Sequence, residues 1–264
     1  MTEFVRGLWV VAYRELVGFV SDRIRIVASL TFPLLFLAIF GAGFSNVIGQ
    51  MSGNVDIVQF MYPGIIAQVV LTTSLFSGVS IVSDREVGFL REILVAPISR
   101  AGIVCGKAAG AAVIALLQVT VLLGIAPIVN VPLQPATVIL LLPIVVTLSL
   151  VLSGLGILIG SFAHSQQGFQ LLMQMLVFPM VFLAGVFFPV DSVPVWMEVL
   201  SKANPVTYGV DAIRQVFLGD GPALSGLGVT VLGRTMTLAE DVAIIAVVGT
   251  VLMFAAVAAF HRQD

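Results

Sequence analysis

The charged stretch Ser83–Lys107 of this sequence reads SDREVGFLREILVAPISRAGIVCGK. The segments on its two sides, Ile57–Ser83 and Ala108–Val190, contain no Asp, Glu, Lys or Arg. Uncharged apolar segments of that length lie in lipid, whereas charged side chains need water. The stretch therefore predicts a loop at a membrane surface, and we expect this loop to be where the protein receives its energy.

The composition of the chain sets its class. Of its 264 residues, 59% are hydrophobic and only 10% are charged, and the mean hydropathy is +1.14. A soluble domain carries about a quarter charged residues, so the sequence predicts an integral membrane protein. A single cysteine, Cys105, excludes an intrachain disulfide, and the widely separated His164 and His261 predict no metal site.

Six segments are apolar enough to cross a bilayer, which takes about 20 residues. Their predicted limits are Ile26–Phe44, Gln59–Val82, Ala108–Ala126, Ala136–Gly160, Phe169–Phe188 and Val242–Phe260. Prolines near residue 130 and the polar run Ser161–Gly168 divide the long uncharged region, as is typical of turns at a membrane surface. The sequence thus predicts an all-α integral membrane fold, with residues 1–264 forming a single transmembrane domain.

Residues 1–25 contain an amphipathic segment ahead of the first span. On a helical wheel Arg6 and Arg14 lie together, opposite a face that includes Leu8 and Trp9. We expect a helix in the membrane interface with Trp9 at headgroup depth. The alternative is an extension of the first span, but charges recur too often for a spanning helix.

The distribution of Lys and Arg predicts the orientation. Nine of the twelve lie before the first span, after the second or after the sixth. Positive charge favours the inside, so both termini are expected in the cytoplasm. Residues 189–241 are then extracellular, and their short semi-apolar patterns at Val193–Leu200 and Val206–Leu218 predict re-entrant or interfacial helices.

The predicted spans carry no ionisable side chain, and the chain has no Walker A sequence or hydrolase motif. A proton-coupled or ion-coupled transporter usually needs an ionisable group in the bilayer, and an ATPase needs a phosphate-binding loop. An active transporter of this composition depends on another subunit for its energy. Gln170 and Gln174, one turn apart on one helix face, are candidates for a pathway lining or a helix interface.

The charged loop can form a short helix, Arg85–Val95, that ends before Pro97. Leu90 and Leu94 lie on its apolar arc, and a short mixed helix under the membrane fits a groove on a soluble partner. On the residues alone, a solvated loop that only fixes topology is an equal alternative. For Glu86 we expect either contact with a partner or capping of the first turn of this helix.

The run DREVGFLREILVAPISRAGIVCGKAAG, residues 84–110, resembles the signature of type-2 ABC transporter permeases, the membrane subunits of bacterial and archaeal drug, polysaccharide and lipid exporters. The matching positions are Glu86 and Gly88 (one residue closer than in the commonest form), Leu90–Leu94, Pro97–Arg100 and Gly106–Lys107. A second run, Leu183–Gly219, resembles the end of the fifth span and the outer helices of that family. Its matching positions are Gly185, Phe188, Pro189, Asn204, Pro205, Tyr208, Asp211 and Arg214.

The resemblance implies roles for particular segments. Residues 84–98 would be the coupling helix that rests on an ATPase subunit, and residues 1–25 would be an interfacial elbow helix. The coupling residues would be Arg85, Glu86, Gly88, Leu90, Arg91, Glu92, Leu94, Pro97, Arg100 and Lys107. The outer gate would be formed by Phe187, Phe188, Pro189, Asn204, Pro205, Tyr208 and Arg214.

The resemblance also implies partners. Two permease chains, expected as a homodimer, would assemble with two ABC ATPase subunits in the cytoplasmic membrane, and no nucleic acid is expected. The chain itself would bind no cofactor, since ATP and Mg²⁺ would lie on the ATPase. The uncharged spans favour outward transport of a hydrophobic or amphipathic substrate.

Two other classes remain as alternatives. A membrane-embedded lipid-modifying enzyme would cluster Asp, His or Arg at one membrane face within its spans, which this sequence does not do. A passive channel or scaffold would need no docking helix, so the segment Glu86–Leu94 discriminates between it and a permease.

Overall fold

The computed structural model of the chain describes residues 2–48, 57–88, 99–219, 228–231 and 234–261, and most of these residues are helical. The helices are α1 Thr2–Ser21, α2 Arg23–Ile48, α3 Ile57–Leu75, α4 Val79–Glu86, α5 Arg100–Ile125, α6 Pro135–Phe162, α7 Gln166–Leu183, α8 Val195–Ala203, α9 Pro205–Leu218 and α10 Leu238–His261. Short 3-10 turns follow α3 and α5 and precede α8. The structure also contains a two-stranded antiparallel ribbon, β1 Thr230–Val231 and β2 Arg234–Thr235, which the all-α prediction did not include.

Five of the helical segments are long and apolar enough to cross a membrane. They are Val58–Glu86, Arg100–Val129, Pro135–Phe162, Gln166–Leu183 and Leu238–Phe260, and they contain most of each of the last five predicted spans. The first predicted span lies within α2, whose 26 residues are about 39 Å long at roughly 1.5 Å per residue. That length exceeds the hydrocarbon core of a bilayer, about 30 Å, and a sixth crossing stays a prediction.

Two helix ends differ from the predicted limits. Ser99 caps α5 by accepting a hydrogen bond from the backbone N–H of Gly102 at 3.1 Å, so the helix begins at Arg100 rather than Ala108 and includes Lys107. At the other end of the bundle α7 stops at Leu183 rather than Phe188. There Gly185 takes a φ of 73°, which favours glycine and turns the chain out of the helix.

Small residues bring the central helices into backbone contact. A Cβ on Gly156 of α6 would lie 2.1 Å from the carbonyl oxygen of Leu75, so only glycine permits this approach of α3 and α6. Close by, the buried hydroxyls of Ser74 and Ser149 form a hydrogen bond of 2.7 Å. The core of the bundle therefore rests on close helix contact and on polar groups that satisfy one another.

The N-terminal helix α1 packs lengthwise on the first turns of α5. Glycines 102, 106 and 110 of α5 face Phe4, Leu8 and Glu15 in turn, so the two helices run in the same direction. The opposite side of α1 is open, and Trp9 is 70% exposed. The helix predicted in residues 1–25 is therefore present, while its position in the membrane interface stays a prediction.

Candidate functional site

Four charged side chains from three helices meet at the base of the segment between α4 and α5. Lys107 Nζ of α5 lies 3.0 Å from Asp84 Oδ2 of α4 and 3.3 Å from Glu15 Oε1 of α1. Arg14 Nη2 lies 2.9 Å from the same Asp84 oxygen. We call Arg14, Glu15, Asp84 and Lys107 the charge cluster.

Lys107 is the buried centre of the charge cluster, with its side chain only 1% exposed. Each of its three N–H bonds has an acceptor, because Ser80 Oγ lies 2.6 Å from Nζ in addition to the two carboxylates. A buried ammonium without partners is strongly unfavourable. The position of Lys107 therefore fixes α1, α4 and α5 relative to one another.

Arg14 holds the outer edge of the charge cluster. Burial of its guanidinium lowers its pKa, but the hydrogen bond and the charge of Asp84 outweigh burial and raise the pKa above its ordinary value. Arg14 thus stays protonated and balances the second carboxylate of the cluster. The side chain of Arg14 is directed to Asp84 and stays 38% exposed, so Arg14 lies on the polar face of α1.

The partners of Lys107 were missed by sequence reasoning. Glu15 and Asp84 are far from Lys107 along the chain and come from other helices, so no local spacing connects them. One signal was present in the sequence. Asp84 directly follows one uncharged segment and Lys107 directly precedes the other, and charges at such boundaries tend to pair.

Arg85 and Glu86 attach the end of α4 to the turn between α6 and α7. Arg85 donates from Nη1 to the carbonyl of Ala163 at 2.9 Å and from Nη2 to that of Ser161 at 3.0 Å. Glu86 Oε1 accepts the backbone N–H of Gln166, the first residue of α7, at 2.9 Å. A cation at the end of one helix and an anion at the start of the next both suit the helix dipoles.

This geometry changes the interpretation of the predicted coupling helix. Arg85 and Glu86 belong to α4, which ends at Glu86, and Gly88 takes a φ of 80°. The prediction of an unbroken helix from Arg85 to Val95 is therefore wrong at its first turn. Glu86 caps α7 and not the helix that was predicted to contain it. The predicted coupling residues Leu90, Arg91, Glu92, Leu94 and Pro97 lie outside the described residues.

At the other end of the bundle, the buried side chain of Arg214 links two segments of the chain. Its side chain is 1% exposed, Nη2 donates to the carbonyl of Gly185 at 2.7 Å, and the guanidinium lies 4.3 Å from the centre of the Phe60 ring. Burial lowers the pKa of Arg214 to about 10, so it remains charged at neutral pH. It joins α9 to the turn after α7.

The other predicted gate residues surround the same turn. Asn204 caps α9 by accepting the Val206 N–H at 3.1 Å and donates from Nδ2 to Met180 O at 2.8 Å. Pro205 is the first residue of α9, and the hydroxyl of Tyr208 donates to Lys202 O at 2.7 Å.

Phe187 packs between the rings of Phe36 and Phe182, with centroids 5.1 and 5.2 Å away. Phe188 and Pro189 are half-buried beside it in the same turn. These contacts connect the predicted gate to α2 and α7.

Gln170 and Gln174 are exposed on α7, so neither contributes to the packed interior of this chain. Their role as a pathway lining or a subunit interface stays a prediction. Within the ranges that the structure describes, no three His, Cys, Asp or Glu residues lie close enough together to hold a metal ion.

Comparison with known proteins gives consistent matches. Residues 6–218 match the family described as "ABC-2 type transporter". The transport permease ycf38 of Cyanophora paradoxa is 28% identical over 217 residues, 81% of this chain and 75% of the relative. The inner membrane transport permease YadH of Escherichia coli K12 is 28% identical over 217 residues, 78% of this chain and 82% of the relative. The E. coli K12 protein named multidrug ABC transporter permease YbhR is 30% identical over 169 residues, 63% of this chain but 46% of the relative.

Proposed function

Because this chain belongs to the ABC-2 type transporter family, we propose that it is the permease subunit of an exporter driven by a separate ABC ATPase. In this proposal two copies of the chain form a homodimer in the cytoplasmic membrane and bind two ATPase subunits. The termini face the cytoplasm, α2 provides a sixth crossing, and ATP and Mg²⁺ are bound by the partner alone.

The observation that carries the proposal is the pair of attachments around residues 89–98. On the side of α5, Lys107 links α5 to α1 and α4 through Glu15 and Asp84. On the side of α4, Arg85 and Glu86 hold the α6–α7 turn. A force applied to the intervening segment therefore reaches five helices through buried or directed polar contacts.

These contacts suggest a mechanism for coupling. When the ATPases close on ATP, they displace the docked segment, and α4 and α5 follow it because they are covalently continuous with it. Arg85 and Glu86 then shift the start of α7, whose other end leads to the outer turn held by Arg214. The movement would in this way open a path at one face while it closes the other.

For the substrate, we propose a hydrophobic or amphipathic molecule. The membrane helices of the chain are strongly apolar, with mean hydropathies between 1.2 and 2.7 in the five segments found. The name of the relative YbhR refers to multidrug transport, which supports a substrate of this kind. A drug, a lipid or a lipid-linked molecule all fit the proposal.

The test is a coupling measurement on the complex purified with its ATPase. Leu90→Asp together with Leu94→Asp places two charges on the apolar arc of the segment, and we expect assembly or substrate-stimulated ATP hydrolysis to be lost. Ile128→Asp is the matched control, because Ile128 is 78% exposed in the turn that follows α5 and is remote from the docking segment. Unchanged assembly and stimulated hydrolysis in the double variant would show that the segment does not receive the energy.

A further inference from the structure

Two buried carboxyl groups meet between α9 and α10, beside the outer turn. Asp211 of α9 is 1% exposed, and Asp241 in the first turn of α10 is 0% exposed. Gln215 Nε2 donates to Asp241 Oδ2 at 2.7 Å and to Asp211 Oδ2 at 3.3 Å. One amide thus bridges both groups, and we call Asp211 and Asp241 the outer carboxyl pair.

One oxygen of each carboxyl group lacks a donor. Asp211 Oδ1 and Asp241 Oδ1 are closed off from solvent, and no donor of the described residues reaches them. The two side chains nevertheless lie within hydrogen-bonding distance of each other. An ionised carboxylate only accepts hydrogen bonds, whereas a protonated carboxyl group also donates one. A proton on either group therefore turns a repulsive contact into a hydrogen bond.

The charges around the outer carboxyl pair suit one negative charge better than two. Arg214, one turn along α9, acts electrostatically on Asp211, and the N-terminus of α10 favours one anion nearby. Glu240 adds a further negative charge beside Asp241. Burial raises the pKa of Asp211, although the Val229 N–H, which Asp211 Oδ2 accepts at 3.1 Å, and the charge of Arg214 act in the opposite direction. Two like charges at this distance in a buried site cannot both ionise without a large cost.

The other ionisable side chains on the surrounding elements bind different groups in the described structure. They are Tyr62 on α3, Asp191 in the turn before α8, Glu198 and Lys202 on α8, Tyr208 on α9, Arg234 on β2 and Glu240 on α10. Helices α6 and α7 carry no ionisable side chain, and those of α5 lie in its first turns at the opposite end of the bundle. The protonation of the outer carboxyl pair is therefore set by burial, by its own members and by Arg214.

A proton fits these surroundings better than a metal ion or a water molecule. A metal ion such as Ca²⁺ needs at least six oxygen ligands, and a buried water needs space and two to four polar partners. The unpaired oxygens of Asp211 and Asp241 have no such space beside them in the described structure. A proton needs none, because it lies within the contact between the two carboxyl groups.

We propose that Asp211 and Asp241 form a proton-binding site that holds one shared proton at neutral pH and thereby joins α9 to α10. The proton lies in a hydrogen bond between the two carboxyl groups, and Gln215 provides a second link. When the proton leaves to solvent, two buried anions remain, and their repulsion releases α9 from α10. The inference rests on the proposed function only for the orientation, which places the site at the extracellular face.

The first test asks whether a buried carboxyl group is protonated at neutral pH. Infrared spectra of the purified full chain are recorded between about pH 6 and pH 10, a range that covers the pKa values known for buried carboxyl groups. A maltoside detergent is used because it has no ester carbonyl. We expect the C=O band of a protonated carboxyl group at neutral pH and its loss in alkaline solution.

Matched variants assign this band. Asp241→Asn and Asp211→Asn each keep the shape of the side chain but leave a single carboxylate beside Arg214, so the titrating band should be absent from both. Asp191→Asn is the control, because Asp191 pairs with Lys202 near the surface and is 26% exposed. Its spectrum should keep the band.

The second test uses the linkage between proton binding and folding. Above the ordinary aspartate pKa of about 3.9 the unfolded chain has lost this proton while the folded chain keeps it. The folding equilibrium constant should therefore fall by up to about tenfold per pH unit until the site itself deprotonates. The unfolding midpoint of the wild type should fall by roughly 3–5 °C per pH unit relative to that of Asp241→Asn, and Asp191→Asn should follow the wild type.

Several results would overturn the inference. They are a spectrum without a titrating carboxyl band, a band that survives in both Asp211→Asn and Asp241→Asn, and equal pH slopes in the wild type and Asp241→Asn. A midpoint that NaCl raises in alkaline solution, while choline chloride does not, would assign the site to sodium and would also contradict the shared proton. Both tests use the chain without an ATPase, so their failure leaves the coupling proposal intact, and intact coupling in the Leu90 and Leu94 variant leaves the proton site intact.

Discussion

Lys107→Met should be among the most destabilising single changes in the charge cluster. The variant keeps the length of the side chain but leaves Asp84 and Glu15, which are 14% and 18% exposed, without their ammonium. Removing one partner of a fully buried pair costs about 3–5 kcal/mol. Arg14 still pairs with Asp84 and both carboxylates reach some solvent, so we expect a loss of about 2–3 kcal/mol.

The assay is thermal unfolding of the purified chain in one detergent, followed by tryptophan fluorescence. A loss of that size corresponds to a midpoint lower by roughly 5–10 °C for a chain of this length. Lys202→Met is the matched control, because Lys202 is 23% exposed and pairs with Asp191 and Glu198 near the surface. Its midpoint should fall by no more than about 3 °C.

A double-mutant cycle measures the interaction energy between Asp84 and Lys107. Asp84→Asn combined with Lys107→Met should cost clearly less than the two single changes added together, because each single change already removes the direct interaction between these two groups. Strict additivity, or a Lys107→Met midpoint equal to that of Lys202→Met, would refute the view that this buried pair joins α4 to α5.

Two further changes test the packing of the bundle and of the outer turn. Gly156→Ala places a Cβ 2.1 Å from the backbone oxygen of Leu75 and should cost about 3 kcal/mol as α3 and α6 separate, whereas Gly124→Ala, with nothing within 4 Å, should leave the unfolding midpoint unchanged or slightly higher. Arg214→Lys loses the stacking on Phe60 and the planar donor to the turn, so its midpoint should fall by roughly 5 °C or more. An unchanged midpoint in either variant would contradict the assigned contact.

The sequence was sufficient for a fold of several long apolar helices and for the family, because both depend on local patterns. Uncharged windows of about 20 residues marked the last five spans, and the residues around Pro97–Arg100 and Asn204–Pro205 carried the resemblance. The start of α5 lies eight residues before the predicted span Ala108–Ala126, because a helix can continue beyond its uncharged segment. Its cap, Ser99, is a local signal that favours the longer helix.

Tertiary contacts account for what the sequence could not supply. Capping of its own helix was one alternative for Glu86, and the structure shows instead that Glu86 caps a helix that begins at Gln166. Asn204 and Arg214 were expected at an outer gate, and the structure adds that they bind backbone carbonyls of Met180 and Gly185. Such roles depend on which helices are neighbours, and hydropathy patterns do not determine that.

The charge cluster lies both at the base of the proposed coupling segment and beside a cavity of the bundle. Lys107 and Glu15 form both the link between α1 and α5 and one wall of a cavity of about 200 Å³ between α1, α2, α3 and α5. In the proposed coupling mechanism, a displacement of α5 would therefore change the shape of this cavity. Linkage is reciprocal for binding free energies, so a ligand that binds one arrangement of these helices more tightly must favour the matching state of the docked segment. Transmission over a long distance is then unnecessary at this end of the bundle, because the Lys107 ammonium belongs both to the cavity wall and to the support of the proposed coupling segment.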